Sequence, residues 1–314
     1  DLRVMSPTGY PDYPTSLTLP HLCSNLKPPI VKLPSFIHWI HLYRRCSSTM
    51  SKVNEALILL IILLSSILTG CLADEDTTSS PVTLIVYYEH TSGTLYENWT
   101  NGQRISQTGV ELTFDFARTT TTEGEMRIFS LTPGDGSAPV EIDASQSASL
   151  TYEYLTHGLF SATLGAEDSE GNVADMSILI RIDSFMHWVE QNSENPESMN
   201  LNTIPDCENC EGPTLISIDS QVTNPESLIP GTGGTTTITW KLNDPDGETT
   251  ATKTEPIADG QTKLWEHDQL GVTLGTWTLS VVIESGEDNI NITHDVSIRY
   301  EEKETEANPI DLPQ

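Results

Sequence analysis

Cys207 and Cys210 stand three apart in the polar stretch NSENPESMNLNTIPDCENCEGP (192–213). A C-x-x-C pair can close a small ring, exchange thiols or supply half of a zinc site. After Cys71 no second C-x-x-C and no H-x-x-H completes a zinc site, and no βαβ pattern surrounds the pair. The favoured reading is a local disulfide, with free thiols next. Its ring is too small to restrain much unfolded-chain entropy. Two acidic turns offer other chemistry. Asp168, Glu170 and Asn172 in DSEGN, and Asp244, Asp246 and Glu248 in DPDGE, group hard oxygen atoms of the kind calcium takes. The same residues are what hairpin turns require, since Gly and Asn accept positive φ and Asp caps the turn. The turn reading is preferred, and no cofactor is expected. Asn98-Trp99-Thr100 and Asn291-Ile292-Thr293 are N-glycosylation sequons.

Catalytic signatures are missing from the sequence. There is no G-x-S-x-G and no H-E-x-x-H, and GTGGTT (231–236) lacks the lysine of a phosphate-binding loop. A glycosidase needs only two carboxyls brought together by the fold, a pairing that sequence does not reveal. The expectation is a non-enzymatic protein.

One more residue has a chemistry set by its position. Cys71 ends the run SSILTGC, which follows Met50-Ser51-Lys52 and a thirteen-residue segment, Ala56 to Leu68, whose only polar members are Ser65 and Ser66. As a helix that segment is roughly 20 Å long, short of the ~30 Å hydrocarbon core, so a signal peptide is preferred to a spanning helix. Leu68-Thr69-Gly70-Cys71 resembles the lipobox of prokaryotic lipoproteins. That resemblance implies cleavage before Cys71, a diacylglyceryl group on its thiol, and anchoring at the extracytoplasmic face of the cell membrane. An uncleaved signal anchor is the alternative.

Residues 1–49 read as sequence upstream of a true start at Met50. They hold seven of the nineteen prolines and carry five basic against two acidic side chains. A Pro-rich basic extension is the rival reading. From Cys71 onward there are 42 acidic and nine basic side chains, a net of −33. Such a charge repels nucleic acid and anionic headgroups, so no nucleic-acid partner is expected. Solubility alone accounts for much of it.

The 244 residues from Cys71 read as strands with almost no helix. In VELTFDF (110–116) Val110, Leu112, Phe114 and Phe116 alternate with Glu111, Thr113 and Asp115, the pattern of a half-buried strand. Further strands are expected at 82–88, 126–131, 150–155, 160–166, 173–182, 214–218, 235–242, 276–283 and 290–300. The second half repeats the first. FSLTPGDG (129–136) matches WKLNDPDG (240–247), GLFSATLGAEDSEGN (158–172) matches GTWTLSVVIESGEDN (275–289), and IRI (180–182) matches IRY (298–300). Drifting offsets between matched blocks indicate duplication with loop change.

On PGDG (133–136), HGLFSATL (157–164) and DSEGN (168–172) the first copy resembles the PKD family of immunoglobulin-like domains. The expectation is therefore an all-β chain of two tandem antiparallel immunoglobulin-like (PKD-like) β-sandwiches. Their boundaries are set at 82–185 and 213–303. A flexible tether (71–81) precedes them, a linker with the C-x-x-C (186–212) joins them, and a disordered tail (304–314) follows.

The function expected of this layout is binding or adhesion at the cell surface, to a protein or a glycan. An envelope spacer, or an accessory subunit of a secreted hydrolase or transporter, is the alternative. Trp99, Trp188 and Trp265 fall outside the core alternation and are the aromatic candidates for a glycan surface, although each suits packing as well.

Overall fold

The computed structural model describes residues 80–207, 210–229, 232–286 and 289–310. The segments 1–49 and 50–70, Cys71 and the tether up to residue 79 lie outside them. Every helix or strand among the described residues is a β-strand. In chain order these are β1 (Val82–Thr83), β2 (Ser92–Thr100), β3 (Gln103–Thr108), β4 (Val110–Asp115), β5 (Thr120–Thr121), β6 (Met126–Thr132), β7 (Val140–Asp143), β8 (Ser149–Tyr154) and β9 (Gly158–Asp168). They continue as β10 (Val173–Ser193), β11 (Met199–Asn202), β12 (Leu215–Thr223), β13 (Thr235–Asn243), β14 (Thr249–Ala258), β15 (Thr262–Leu270), β16 (Thr276–Ser285) and β17 (Ile290–Arg299).

β10 organises the fold. Ile178, Ile180, Ile182, Ser184, Met186, Trp188 and Glu190 are all buried while the residues between them are not, so a period of two runs unbroken through this strand. Its first half pairs with β9, its second half with β17, and residues 181–189 also take β2 as a parallel neighbour. The result is one nine-stranded sheet, ordered β15-β12-β17-β10-β9-β6-β7, with β2 and β3 attached at β10.

Two further layers pack against this sheet. The inward residues of β4 and β8 (Leu112, Phe114, Leu150, Tyr154) form one core with Phe129, Phe160, Ile178 and Ile180. The four-stranded sheet β11-β16-β13-β14 supplies Leu201, Trp240 and Trp277 to a second core with Met186, Trp188, Ile218 and Val296. β10 thus contributes Ile178 to Ile182 to one core and Met186 and Trp188 to the other.

Three expectations are corrected. Residues 186–193, assigned to a linker, are the second half of β10, because the alternation persists through Ser184 although its hydroxyl interrupts the apolar run. Residues 199–202 of that linker are likewise strand β11, paired with β16. The tail is tied down over 304–308, while 311–314 lie outside the described residues. The Glu304 carboxylate takes two hydrogen bonds from Arg181 (2.8 and 2.9 Å), Thr305 exchanges hydrogen bonds with Leu179, and Asn308 exchanges a backbone pair with Tyr88. A charged, proline-containing segment reads as disordered only while its partners are unknown.

The third correction concerns the repeat. Phe160, Ala162 and Leu164 in β9 are buried, as are their counterparts Trp277, Leu279 and Val281 in β16. Phe129 faces Ala166, however, whereas its counterpart Trp240 faces Val281, a slip of two residues that leaves every side chain on its original face. The last matched block departs further: β10 pairs with β9, but β17 pairs with β12 and β10 and not with β16. Asp168, whose carboxylate gathers the β9–β10 turn, is matched in the second copy by Ser285.

Candidate functional site

The β2–β3 hairpin is built on Asn101-Gly102, whose φ values of 47° and 72° suit the two central positions of a tight hairpin turn. It holds Trp99 beside Arg104. On the inward face of β2 the side chains are Leu95, Glu97 and Trp99, opposite Ser184, Met186 and Trp188 of β10. This is where β10 passes from one core to the other, and a cleft of about 350 Å³ opens there. Leu95, Leu155, Met186, Ile204 and Ile298 make its apolar part together with Trp99. Arg104 and Gln107 of β3, Thr156 and His157 between β8 and β9, and Asn200, Asn202 and Asp206 on and after β11 bring polar groups to it. A second hollow of about 240 Å³ adjoins it, sharing Trp99, Met186 and Asn200 and adding Trp188 and Glu197.

Trp99 is the hub. Its ring stacks on Trp188 at 5.8 Å and 23°, and the Arg104 guanidinium lies 5.9 Å from its centre. Its Nε1 donates to Glu97 Oε2 (3.0 Å), while Arg104 Nη1 donates to Glu97 Oε1 (2.6 Å). Both oxygens of this half-buried carboxylate are therefore engaged. His157 Nδ1 meets the Tyr300 hydroxyl at 2.8 Å. Burial holds the imidazole below the ordinary histidine range, against the opposing pull of Glu97, a hydrogen bond donated to the Asn202 backbone, and Asp206. It is accordingly neutral near pH 7. Two buried polar atoms beside the cavities, Thr156 Oγ1 and Trp188 Nε1, have no hydrogen-bond partner in the protein. An unpaired buried polar atom carries a desolvation cost.

Of the three candidate tryptophans, the structure brings Trp99 and Trp188 together. Trp99 is half-buried at the cleft, Trp188 is buried beneath it, and Trp265 is buried elsewhere, against Trp240 and His267. Cys207 and Cys210 form a disulfide with Cα atoms 5.8 Å apart, packed on the first core and next to Asp206 of the cleft. The acidic residues sit in turns. Asp168 Oδ1 accepts the backbone N–H groups of Glu170 and Asn172, and Oδ2 accepts from Thr121 and the Asn172 amide. Burial pushes this carboxyl up, but those four hydrogen bonds outweigh it and hold it below the usual range. Asp244 Oδ1 likewise accepts from Asp246 and Glu248, and Gly171 and Gly247 take the same positive φ, 85° and 83°. Among the described residues no group of three or more His, Cys, Asp or Glu is placed to hold a metal ion.

The sequon residues Asn98 and Asn291 lie on the outer face of the nine-stranded sheet. Asn98 donates to Ser106 (2.8 Å) and Asn291 accepts from the Asn192 backbone (2.8 Å). On that face Tyr96, half exposed, contacts Phe185 at 5.6 Å, and His187 meets Asp295 at 2.6 Å. Glu97, Arg104, His157, Asn200, Asn202 and Asp206 were not among the sequence candidates. The Asn-Gly pair at 101–102 is the signal that locates the hairpin, but no local pattern joins it to residues a hundred positions on.

No protein-family model matches the chain, and no curated protein matches it. Among solved structures it is similar to a carbohydrate-binding module of the β-sandwich superfamily, at 11% identity and a TM-score of 0.26 over 70% of this chain and 98% of that one. The CBM51-2 and INT domains of Clostridium perfringens ZmpB, in complex with GlcNAc, match at 12% identity and a TM-score of 0.22, covering 69% of this chain and 48% of that one. Tripeptidyl peptidase 2 matches at 9% identity and 0.22, covering 70% of this chain and 20% of that one. At these scores no functional argument rests on them. The strands and sheets described above make the chain an all-β protein of packed, largely antiparallel sheets.

Proposed function

We propose that this protein is a non-enzymatic glycan-binding protein, anchored by a lipid on Cys71 at the extracytoplasmic face of the cell membrane. The observation that carries the binding half is Trp99. A half-buried indole stacked on Trp188, with the Arg104 guanidinium 5.9 Å from its centre and its Nε1 held by Glu97, puts a rigid aromatic edge at the cleft. The amides of Asn200, Asn202 and Gln107 surround it with donors and acceptors. A sugar ring presents the complementary combination, apolar C–H faces and a rim of hydroxyls. Glu97 has both oxygens committed, which suits it to orienting the site and not to passing protons. The lipobox residues 68–71 support the anchoring half.

In a glycan-binding screen with the detergent-solubilised full chain, Trp99→Ala is expected to weaken the best ligand at least tenfold while leaving the melting temperature within a few degrees. Equal binding by the variant would move the site elsewhere. The second reading is an envelope spacer, favoured by the row Glu266, Asp219 and Asp295 on neighbouring strands of the outer face. Like charges facing each other across strands destabilise the sheet and suit a repellent surface. A screen in which no glycan binds would select it.

The anchoring half has its own test. Cys71→Ser is expected to abolish detergent partitioning and the diacylglyceryl mass on the N-terminal peptide. If the variant remains membrane-bound with residues 50–70 attached, the segment is a signal anchor.

A further inference from the structure

Among the described residues Arg104 is the only arginine or lysine lining the cleft, and its Nη1 is 2.6 Å from Glu97 Oε1. Asp206 adds a second carboxylate on the opposite strand segment. The fourth titratable group there, His157, has its imidazole lowered by burial and adds no positive charge near pH 7. One cation therefore faces two acids, and the cleft carries a net negative charge before any ligand arrives. The remaining guanidinium donors of Arg104 can still hydrogen-bond a hydroxyl, since that exchange moves no net charge.

Granted the glycan reading above, we infer that the cleft selects uncharged sugars and rejects those bearing carboxylate or sulfate groups. An acidic sugar would lose hydration on entering and would meet no unpaired cation in return. Asp206 and Glu97 would oppose it at short range, where salt screens little. The −33 charge of the chain from Cys71 onward would slow its approach from further away, and that effect falls with ionic strength. A neutral oligosaccharide avoids both costs. It is matched by amides, hydroxyls and the unpartnered Thr156 Oγ1, and by apolar contact with the part of the Trp99 indole that lines the cleft.

The test compares a matched pair. The tightest neutral oligosaccharide from the screen and its counterpart oxidised to a carboxylate at C6 are titrated into the full chain in nonionic detergent by calorimetry, at low and high salt. The uronate form is expected to bind at least tenfold more weakly at low salt, with a smaller gap at high salt. Asp206→Asn, which leaves the Trp99–Glu97–Arg104 contacts in place, is expected to narrow the gap at both salts. Glu97→Gln is expected to narrow it further by freeing Arg104. Equal or tighter binding of the uronate by the unaltered protein would overturn the charge selection while leaving the glycan reading standing. Failure of both sugars to bind would overturn the two together.

Discussion

Trp240→Ala is expected to destabilise the fold by about 3–5 kcal/mol, a large part of the roughly 5–15 kcal/mol that holds a typical domain together. Trp240 is fully buried on β13, in the layer that covers the second half of the nine-stranded sheet. Its ring packs near Trp265 at 6.2 Å with the Lys253 ammonium 5.8 Å from its centre, and its Nε1 donates to Ser220 Oγ on β12 at 2.7 Å. That bond crosses from one sheet to the other. Removing the indole leaves a large cavity and takes away a donor from Ser220, which also contacts the buried His294 at 2.8 Å. Trp240→Phe keeps most of the ring and loses only the N–H, so it should cost about 1–3 kcal/mol. Urea unfolding at pH 7.5 measures both. A change below about 1 kcal/mol for the alanine variant would mean that the inter-sheet contact is not central.

The same experiment probes how the two cores communicate. Trp99, Trp188, Trp240, Trp265 and Trp277 all belong to the second core or its margin, whereas the aromatic residues of the first are Phe and Tyr. With Trp39, which lies outside the described residues, replaced by Phe, tryptophan fluorescence reports one core and far-UV circular dichroism reports both. Because β10 is continuous through both, the two midpoints should move together in Trp240→Ala. Separated midpoints would show that the strand bridges two halves that unfold independently.

What the sequence made legible follows from how local each signal is. β4, β9 and β16 were visible because their apolar residues alternate within six to eleven positions. Leu112 and Phe114, Phe160 and Leu164, and Trp277 and Leu279 are indeed buried. β14 and β3 were missed because they are outer strands with mostly polar residues. Of β14 only Ile257 is buried, and β3 is exposed or half-exposed throughout. The predicted strand at 82–88 reduces to β1 plus single bridges at Tyr87 and Tyr88, since no neighbouring strand lies alongside the rest. The turn reading of DSEGN and DPDGE was available because Asp caps and Gly φ values act within five residues. The cleft was not, apart from Trp99. Its residues come from β2, β3, the β8–β9 turn and the segment around β11, and the parallel pairing of β2 with β10 that gathers them has a separation of 89 residues, as between Ser92 and Arg181.

Acidification should weaken the fold from about pH 6.5 downward, well above the range in which most carboxylates titrate. His294 is buried beside Ser220, and burial pushes its imidazole from 6.5 down to about 3. Above pH 7 the ring is neutral both folded and unfolded, so the group contributes no pH dependence. Below 6.5 the unfolded chain takes up a proton that the folded chain refuses, until the pH reaches about 3. Stability therefore falls as pH falls through that window, by about 1.4 kcal/mol per pH unit, or about 2 kcal/mol by pH 5. His157, lowered by burial in the same direction, adds to the slope. Asp183 opposes part of it, because its carboxyl is raised by burial and favours the folded state on protonation. Asp168 and Glu304, held low by their hydrogen bonds, contribute stability that is present above the ordinary carboxylate range and is lost at lower pH still. Urea midpoints measured at pH 7.5, 6.5, 5.5 and 5.0 for the unaltered protein and for His294→Gln separate these terms. The variant will differ in absolute stability, so the informative quantity is the slope, which should be shallower by about one proton between pH 6 and 5. Parallel slopes would show that His294 takes up its proton in the folded chain, and the Trp240–Ser220–His294 cluster would then be open to water.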